Sequence, residues 1–195
     1  MTIDVAIARA EHVPGLLALF EACASSCYCR YWHFTGTKNE WLDRCAHRPE
    51  ENARELEDAV RTDDPTGRGL VALRAGAVVG WMKLTARDAL PKLRALPVYR
   101  SLSLPDGATT FSIACLLVRP DLRRRGVARA LVGAAGTLAH AWGAAAVEGY
   151  PRRSTDPLHD EEAWQGPERV FVEAAFEPVH DAGPYPVYRK PVARR

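Results

Sequence analysis

The stretch Val118-Arg119-Pro120-Asp121-Leu122-Arg123-Arg124-Arg125-Gly126-Val127-Ala128-Arg129-Ala130-Leu131 joins an apolar segment to an amphipathic one, and its reading decides the fold. Upstream, Thr109 to Val118 is rich in β-branched and apolar residues and reads as a buried strand. Downstream, Arg124 to Trp142 carries Val127, Leu131, Ala134, Leu138 and Trp142 at intervals of three or four, the spacing of a helix with one apolar face. A strand therefore passes through a short turn into a long helix. The first N–H groups of a helix have no internal acceptor, and the macrodipole adds partial positive charge there, so this end can hold a phosphate. Gly126 and Ala128 would let a phosphate reach the backbone, and Arg123, Arg124 and Arg125 place guanidinium groups around it. A glycine-containing turn by itself reads equally well as a solvated basic helix start; the flanking strand, Pro120 and helix supply the context that phosphate binding requires.

Outward from this turn, Ile3 to Ala8 reads as a strand and Glu11 to Cys23 as a helix with Val13, Leu16, Leu17 and Phe20 on one side. Ser25 to Trp41 is dense in cysteine and aromatic residues without a clear period, and Glu50 to Arg61 reads as a surface helix. Asp63 to Gly67 is a loop. Gly69 to Leu73 and Ala77 to Leu84 form a hairpin around Arg74-Ala75-Gly76. Pro91 to Gly107, with three prolines, reads as an irregular connection. Ala145 to Tyr150 is a short strand, Pro167 to Ala174 a short helix, and Phe176 to Val187 two strands joined at Ala182-Gly183-Pro184. The pattern is that of a mixed α/β domain around a central sheet.

The remaining bounds are simple. At 195 residues the chain is expected to form one domain over 1–195, burying roughly 70% of its unfolded surface. A net charge of +2 is too small for a nucleic-acid footprint, so no nucleic-acid partner is expected. No apolar run approaches a membrane span, and Asp4, Arg9 and Glu11 interrupt the N-terminal stretch, so neither membrane nor signal peptide is expected and the location is read as cytoplasmic. Five cysteines, an odd number in a chain large enough to fold without them, are read as reduced thiols.

Val118-x-Pro-x-x-Arg123-x-x-Gly126-Val127-Ala128-x-x-Leu131 resembles the acetyl-CoA signature of the GNAT (Gcn5-related) N-acetyltransferase superfamily, Gln/Arg-x-x-Gly-x-Gly/Ala. The element order over nearly the whole chain is also similar to that fold. The resemblance implies an α/β (α+β) GNAT fold: a mixed, mostly antiparallel sheet of about seven strands flanked by helices, with a splayed strand pair holding coenzyme A. It implies acetyl-CoA as co-substrate and direct transfer to a small-molecule or peptide amine, and a tendency to form homodimers. Carried onto this sequence, the backbone amides of Arg124, Arg125, Gly126, Val127, Ala128 and Arg129 would hold the pyrophosphate, with Arg123 beside them. Leu116, Leu117 and Val118 would contact the pantetheine arm, and a strand amide near Leu116 would polarise the thioester carbonyl.

Two family features are missing. The strand before the turn, Phe111-Ser112-Ile113-Ala114-Cys115-Leu116, has no glutamate to act as base, and Phe171 stands where the family has the tyrosine that acts as acid. Ser112 is either the holder of a water or a core polar residue. Tyr150 and Glu148 share a strand face, and Tyr150 is either a catalytic or acceptor-binding group or a strand end. Cys115 reads as packing. An acyl-CoA-binding module that has lost catalysis is the alternative these departures leave open.

Cys23, Cys27, Cys29, His33, Cys45 and His47 contain C-x-C and C-x-H pairs that can supply zinc ligands, but the spacing is irregular and no metal is expected. The segment Cys27-Tyr28-Cys29-Arg30-Tyr31-Trp32 resembles a bacterial subset of the family with Cys-x-Cys-x-Tyr-Trp after the first helix. There Tyr31, Trp32 and Trp41 would line the acceptor pocket. Pro151 to Gln165, with Asp156, Asp160, Glu161 and Glu162, reads either as an attractor for a cationic acceptor or as a solvated loop.

Overall fold

Near-continuous burial along the central segments, covered on both faces, builds one sheet, which the computed structural model describes over residues 2–100, 109–156, 158–159, 162–181 and 183–193. Its strands are β1 (Asp4–Ile7), β2 (Gly69–Arg74), β3 (Ala77–Ala86), β4 (Thr110–Val118), β5 (Ala146–Gly149), β6 (Glu177–His180) and β7 (Val187–Pro191). Their spatial order is β1-β2-β3-β4-β5-β7-β6. Every pairing is antiparallel except that of β4 with β5. This is the mixed, mostly antiparallel seven-stranded sheet expected from the sequence.

The helices are α1 (Val13–Ala22), α2 (Lys38–His47), α3 (Pro49–Arg61), α4 (Pro91–Ala95), α5 (Pro97–Arg100), α6 (Val127–Ala139) and α7 (Glu168–Glu173). On one face, α6 packs Val127, Leu131, Val132, Ala135 and Ala139 into a core with Leu70, Met82, Leu84, Ile113 and Phe171. On the other, α1 and α3 bring Leu16, Phe20, Leu56 and Val60 onto Val71 and Trp81. A third cluster, with Trp32, Leu90, Leu93, Tyr99, Ala114 and Tyr150, closes the end of the sheet where β4 meets β5.

Several sequence readings need correction. The helix assigned to Arg124–Trp142 starts only at Val127, because Arg124 (φ 57°) and Gly126 (φ 88°) are left-handed and cannot belong to it. It ends at Ala139 and tightens into a 3-10 turn over His140–Trp142. The region from Pro91 is partly helical, since Pro91 and Pro97 each sit at a helix start, where a missing N–H costs nothing; residues 101–108 lie outside the described residues. The aperiodic cysteine-rich stretch contains a 3-10 turn at Tyr31–His33 and leads into α2, which Thr37 and Glu40 open as a reciprocal capping box. The last strand runs from Val187 to Pro191 rather than ending at Val187, because its partner β5 needs that length: Gly149 pairs with Tyr188 and Ala146 with Pro191. Of the predicted connection, Ala182 lies outside the described residues.

The β4–β5 pairing is short. It spans Thr110↔Ala146 to Ile113↔Gly149, while β4 continues to Val118. On the opposite edge the register against β3 slips, with Lys83 opposite Cys115 but Leu84 opposite Ile113, so Ala114 is an extra residue in a bulge. The two strands therefore part after Ile113, and the second half of β4 borders a groove.

Candidate functional site

At the end of β4 the chain makes one 3-10 turn, Pro120–Leu122, anchored by the buried Leu122. It then passes through left-handed Arg124 and Gly126 into α6, with Gly126 as the N-cap. The first helical bond runs from Ala130 N–H to the Gly126 carbonyl at 3.0 Å, so the amides of Val127, Ala128 and Arg129 precede any intrahelical acceptor. A Cβ built on Gly126 meets nothing within 4 Å, which leaves the space over these amides open. Arg123 turns its Nε back to the Val118 carbonyl at 3.3 Å, and Arg129 pairs with Glu173 at 2.6 Å.

This turn forms one end of a groove of about 1620 Å³, larger than the usual small-molecule site of about 300–1,000 Å³. Arg123, Arg124, Arg125, Gly126, Val127, Ala128 and Arg129 line that end, Leu116, Leu117 and Val118 the middle, and Tyr31, Trp32 and Trp41 the other end. Three groups of residues far apart in sequence thus share one continuous surface. Cys115, read from the sequence as buried packing, is only half-buried and also lines the groove, because the bulge at Ala114 turns it out.

The amide of Leu116 already has a partner. It donates to the Trp164 carbonyl at 2.7 Å, so the segment after β5 caps β4 where the two strands part. The Trp164 ring lies 5.5 Å from Trp32, and both rings line the groove. Nothing in the local sequence pointed to Trp164; its role follows from where the chain returns after β5. Within the same segment Glu162 is held by Arg152 at 2.6 Å, and Asp160 and Glu161 lie outside the described residues.

Ser112 and Tyr150 come together but not at the groove. Their hydroxyls are 2.8 Å apart, both residues are fully buried, and neither lines the groove. Tyr150 donates to Glu148 Oε2 at 2.7 Å. The same carboxylate takes Arg87 Nη1 at 2.9 Å and Arg189 Nε at 2.9 Å. Burial first, then the Glu148 charge, holds the Tyr150 hydroxyl well above the ordinary tyrosine range, so it stays protonated as a donor. The group is a buried polar network that ties β4, β5, β7 and the turn at Arg87 together. Phe171 is also fully buried, edge-on to Phe176 at 5.5 Å, and a Cβ on Gly149 would run into its ring.

The thiols sit on the α1 side of the groove. Cys29 is buried and accepts from Trp81 Nε1 at 3.3 Å, and Cys23 Sγ lies 3.5 Å from the Val118 carbonyl. Burial pushes the Cys29 thiol up, and contact with Cys29 does the same for Cys27, so both are kept as thiols. Among the described residues no three His, Cys, Asp or Glu side chains gather as a metal site.

Beneath them, Lys83 is fully buried and donates to the Thr66 carbonyl. Burial, then the nearby Arg30 charge, lowers its ammonium from 10.5 to about 7, and burial likewise lowers His33 to about 3. Since the folded value of Lys83 lies below its unfolded one, the unfolded chain binds more protons between those values and stability rises with pH across them. The chain should therefore gain up to about 2 kcal/mol between pH 7 and 9 relative to Lys83→Met, measured by denaturant midpoint. Parallel stability curves for the two proteins would show that Lys83 keeps its proton.

Comparison with known proteins agrees with this architecture. The model of the acetyltransferase (GNAT) family matches residues 30–159. Among solved structures, the PaiA N-acetyltransferase of Thermoplasma acidophilum, in complex with coenzyme A, is 11% identical with a TM-score of 0.55, over 98% of this chain and 99% of that one. An N-acetyltransferase of Staphylococcus aureus Mu50 is 14% identical with a TM-score of 0.54, over 99% and 100%. An acetyltransferase of Thermus thermophilus is 18% identical with a TM-score of 0.52, over 98% and 97%. No curated protein sequence matches the chain. Among the described residues no helix is long and apolar enough to cross a membrane.

Proposed function

We propose, because this chain belongs to the acetyltransferase (GNAT) family, that it moves an acetyl group from acetyl-CoA to a primary amine by direct transfer in a ternary complex. The observation that carries this reading is the single groove running from the α6 amides, past the half of β4 that has parted from β5, to the aromatic end. The pyrophosphate of acetyl-CoA sits over the amides of Val127, Ala128 and Arg129, with Arg123, Arg124 and Arg125 around it. The pantetheine arm lies against Leu116, Leu117 and Val118 in the gap between β4 and β5. For that, the Trp164 carbonyl has to release the Leu116 N–H, which then faces the thioester carbonyl as an oxyanion donor.

The acceptor nitrogen attacks the acetyl carbon, the carbon–sulfur bond breaks, and the proton lost by the amine neutralises the leaving thiolate. No carboxylate stands on β4 to take that proton first, and Ser112 and Tyr150 are enclosed behind it. Alignment of the two reactants therefore carries most of the rate.

Isothermal titration with acetyl-CoA tests this reading. Micromolar affinity, about 8 kcal/mol, is the expected result, and no binding at millimolar ligand would refute it. A second reading has its own support: with Phe171 in the core and Ser112 and Tyr150 walled off, the domain would bind acyl-CoA without turning it over. Tight binding without thiol release for any amine would select that reading.

A further inference from the structure

We infer that the acceptor is a primary amine carried on an aromatic or flat apolar body with no second positive charge. This deepens the acetyl-transfer reading and rests on it. The groove end opposite the phosphate turn is a set of touching rings. Tyr31 lies 5.5 Å from both Trp32 and Trp41, and Trp32 lies 5.5 Å from Trp164. The thiols of Cys23, Cys27 and Cys115 also line the groove, and thiols behave there as small polarisable apolar groups. Flat apolar groups stack on such rings in offset or edge-on arrangements.

Charge decides against the other amine classes. Among the described residues lining the groove, Asp156 and Glu168 are the acidic ones, against seven arginines. Both lie on the chain after β5, and Glu168 is held by Arg153 at 2.7 Å and by the Tyr188 hydroxyl at 2.6 Å. Lys92 adds a cation at the aromatic end, with its Nζ 4.6 Å from the Tyr31 ring centre and 5.0 Å from that of Phe34. Its ammonium takes up the Tyr31 ring that would otherwise attract an acceptor's charge. A polyamine or aminosugar would bring several charges to a groove whose described lining sets seven arginines against two carboxylates. A single ammonium on an apolar body sheds its proton more easily when surrounded by rings and thiols, since burial disfavours the charged form. That supplies the neutral nucleophile that β4, lacking a glutamate, does not generate.

The test is thiol-release kinetics with the full chain at saturating acetyl-CoA, using 2-phenylethylamine, butylamine and spermidine. The expected kcat/KM for 2-phenylethylamine exceeds that for butylamine about tenfold, with spermidine below both. Tyr31→Ala should raise KM for 2-phenylethylamine about tenfold and leave butylamine within about twofold. Trp41→Leu serves as a second variant with the same expected split. Acetyl-CoA affinity, followed by titration, stays unchanged in both. A preference for spermidine, equal use of the two monoamines, or an equal loss for both in the variants would overturn the inference. Acetyl-CoA binding with turnover of none of the three would overturn it as well and favour the non-catalytic module. Absence of acetyl-CoA binding would instead bring down the parent reading.

Discussion

Replacing Gly126 with glutamate should abolish acetyl-CoA binding, with affinity falling by about a hundredfold or more. Two effects act together. A side chain at Gly126 projects into the open space above the α6 amides, and a carboxylate there takes the position and the charge of the pyrophosphate. The left-handed backbone at φ 88° adds about 1–2 kcal/mol of strain for any residue with a Cβ. That strain is small beside the roughly 5–15 kcal/mol of an ordinary domain, so the variant should fold, and a thermal melt checks this. Gly126→Asn isolates the steric part, because asparagine tolerates left-handed backbone and carries no charge but keeps a side chain over the amides. It should keep affinity within about tenfold. Micromolar affinity in Gly126→Glu would place the pyrophosphate elsewhere.

The second large effect concerns stability. Glu148 is fully buried and accepts hydrogen bonds from Arg87, Arg189 and Tyr150. Glu148→Gln leaves two guanidinium groups facing a neutral amide in the interior, an arrangement that costs about 3–5 kcal/mol. For a chain of this size the melting temperature should drop by about 10 °C. Ser112→Ala, which removes one neutral hydrogen bond, should cost only about 1 kcal/mol and leave kcat unchanged. If Glu148→Gln melted like the parent protein but lost turnover at saturating acetyl-CoA, the network would belong to the chemistry instead of the scaffold.

The turn into α6 was legible in the sequence because its parts are local. A strand, a left-handed glycine and a helix start occupy 14 consecutive residues, Val118 to Leu131. The helix boundary was misread by three residues because Arg124 and Arg125 have good helix propensity, and only the left-handed backbone at Arg124 and Gly126 ends their claim to it. The capping box at Thr37 and Glu40 was present in the sequence as a T-x-x-E signal and would have placed α2.

The fate of the polar residues was less accessible. Period-two alternation put Glu148 and Tyr150 on one strand face, but whether that face meets solvent, groove or core depends on what packs over it. Here Arg87 comes from the end of β3 and Arg189 from β7, 61 and 41 residues away, and they turn the face into a buried ion cluster. The sequence by itself determined the mixed sheet, the long helix and the glycine turn that opens it, because hydrophobic period and turn chemistry act over a few residues. Only the tertiary structure decided that Trp164 caps Leu116, that Ser112 and Tyr150 are enclosed, and that Cys115 faces the groove. Those outcomes depend on the path of distant segments around the place where β4 and β5 part, and no local pattern encodes that path.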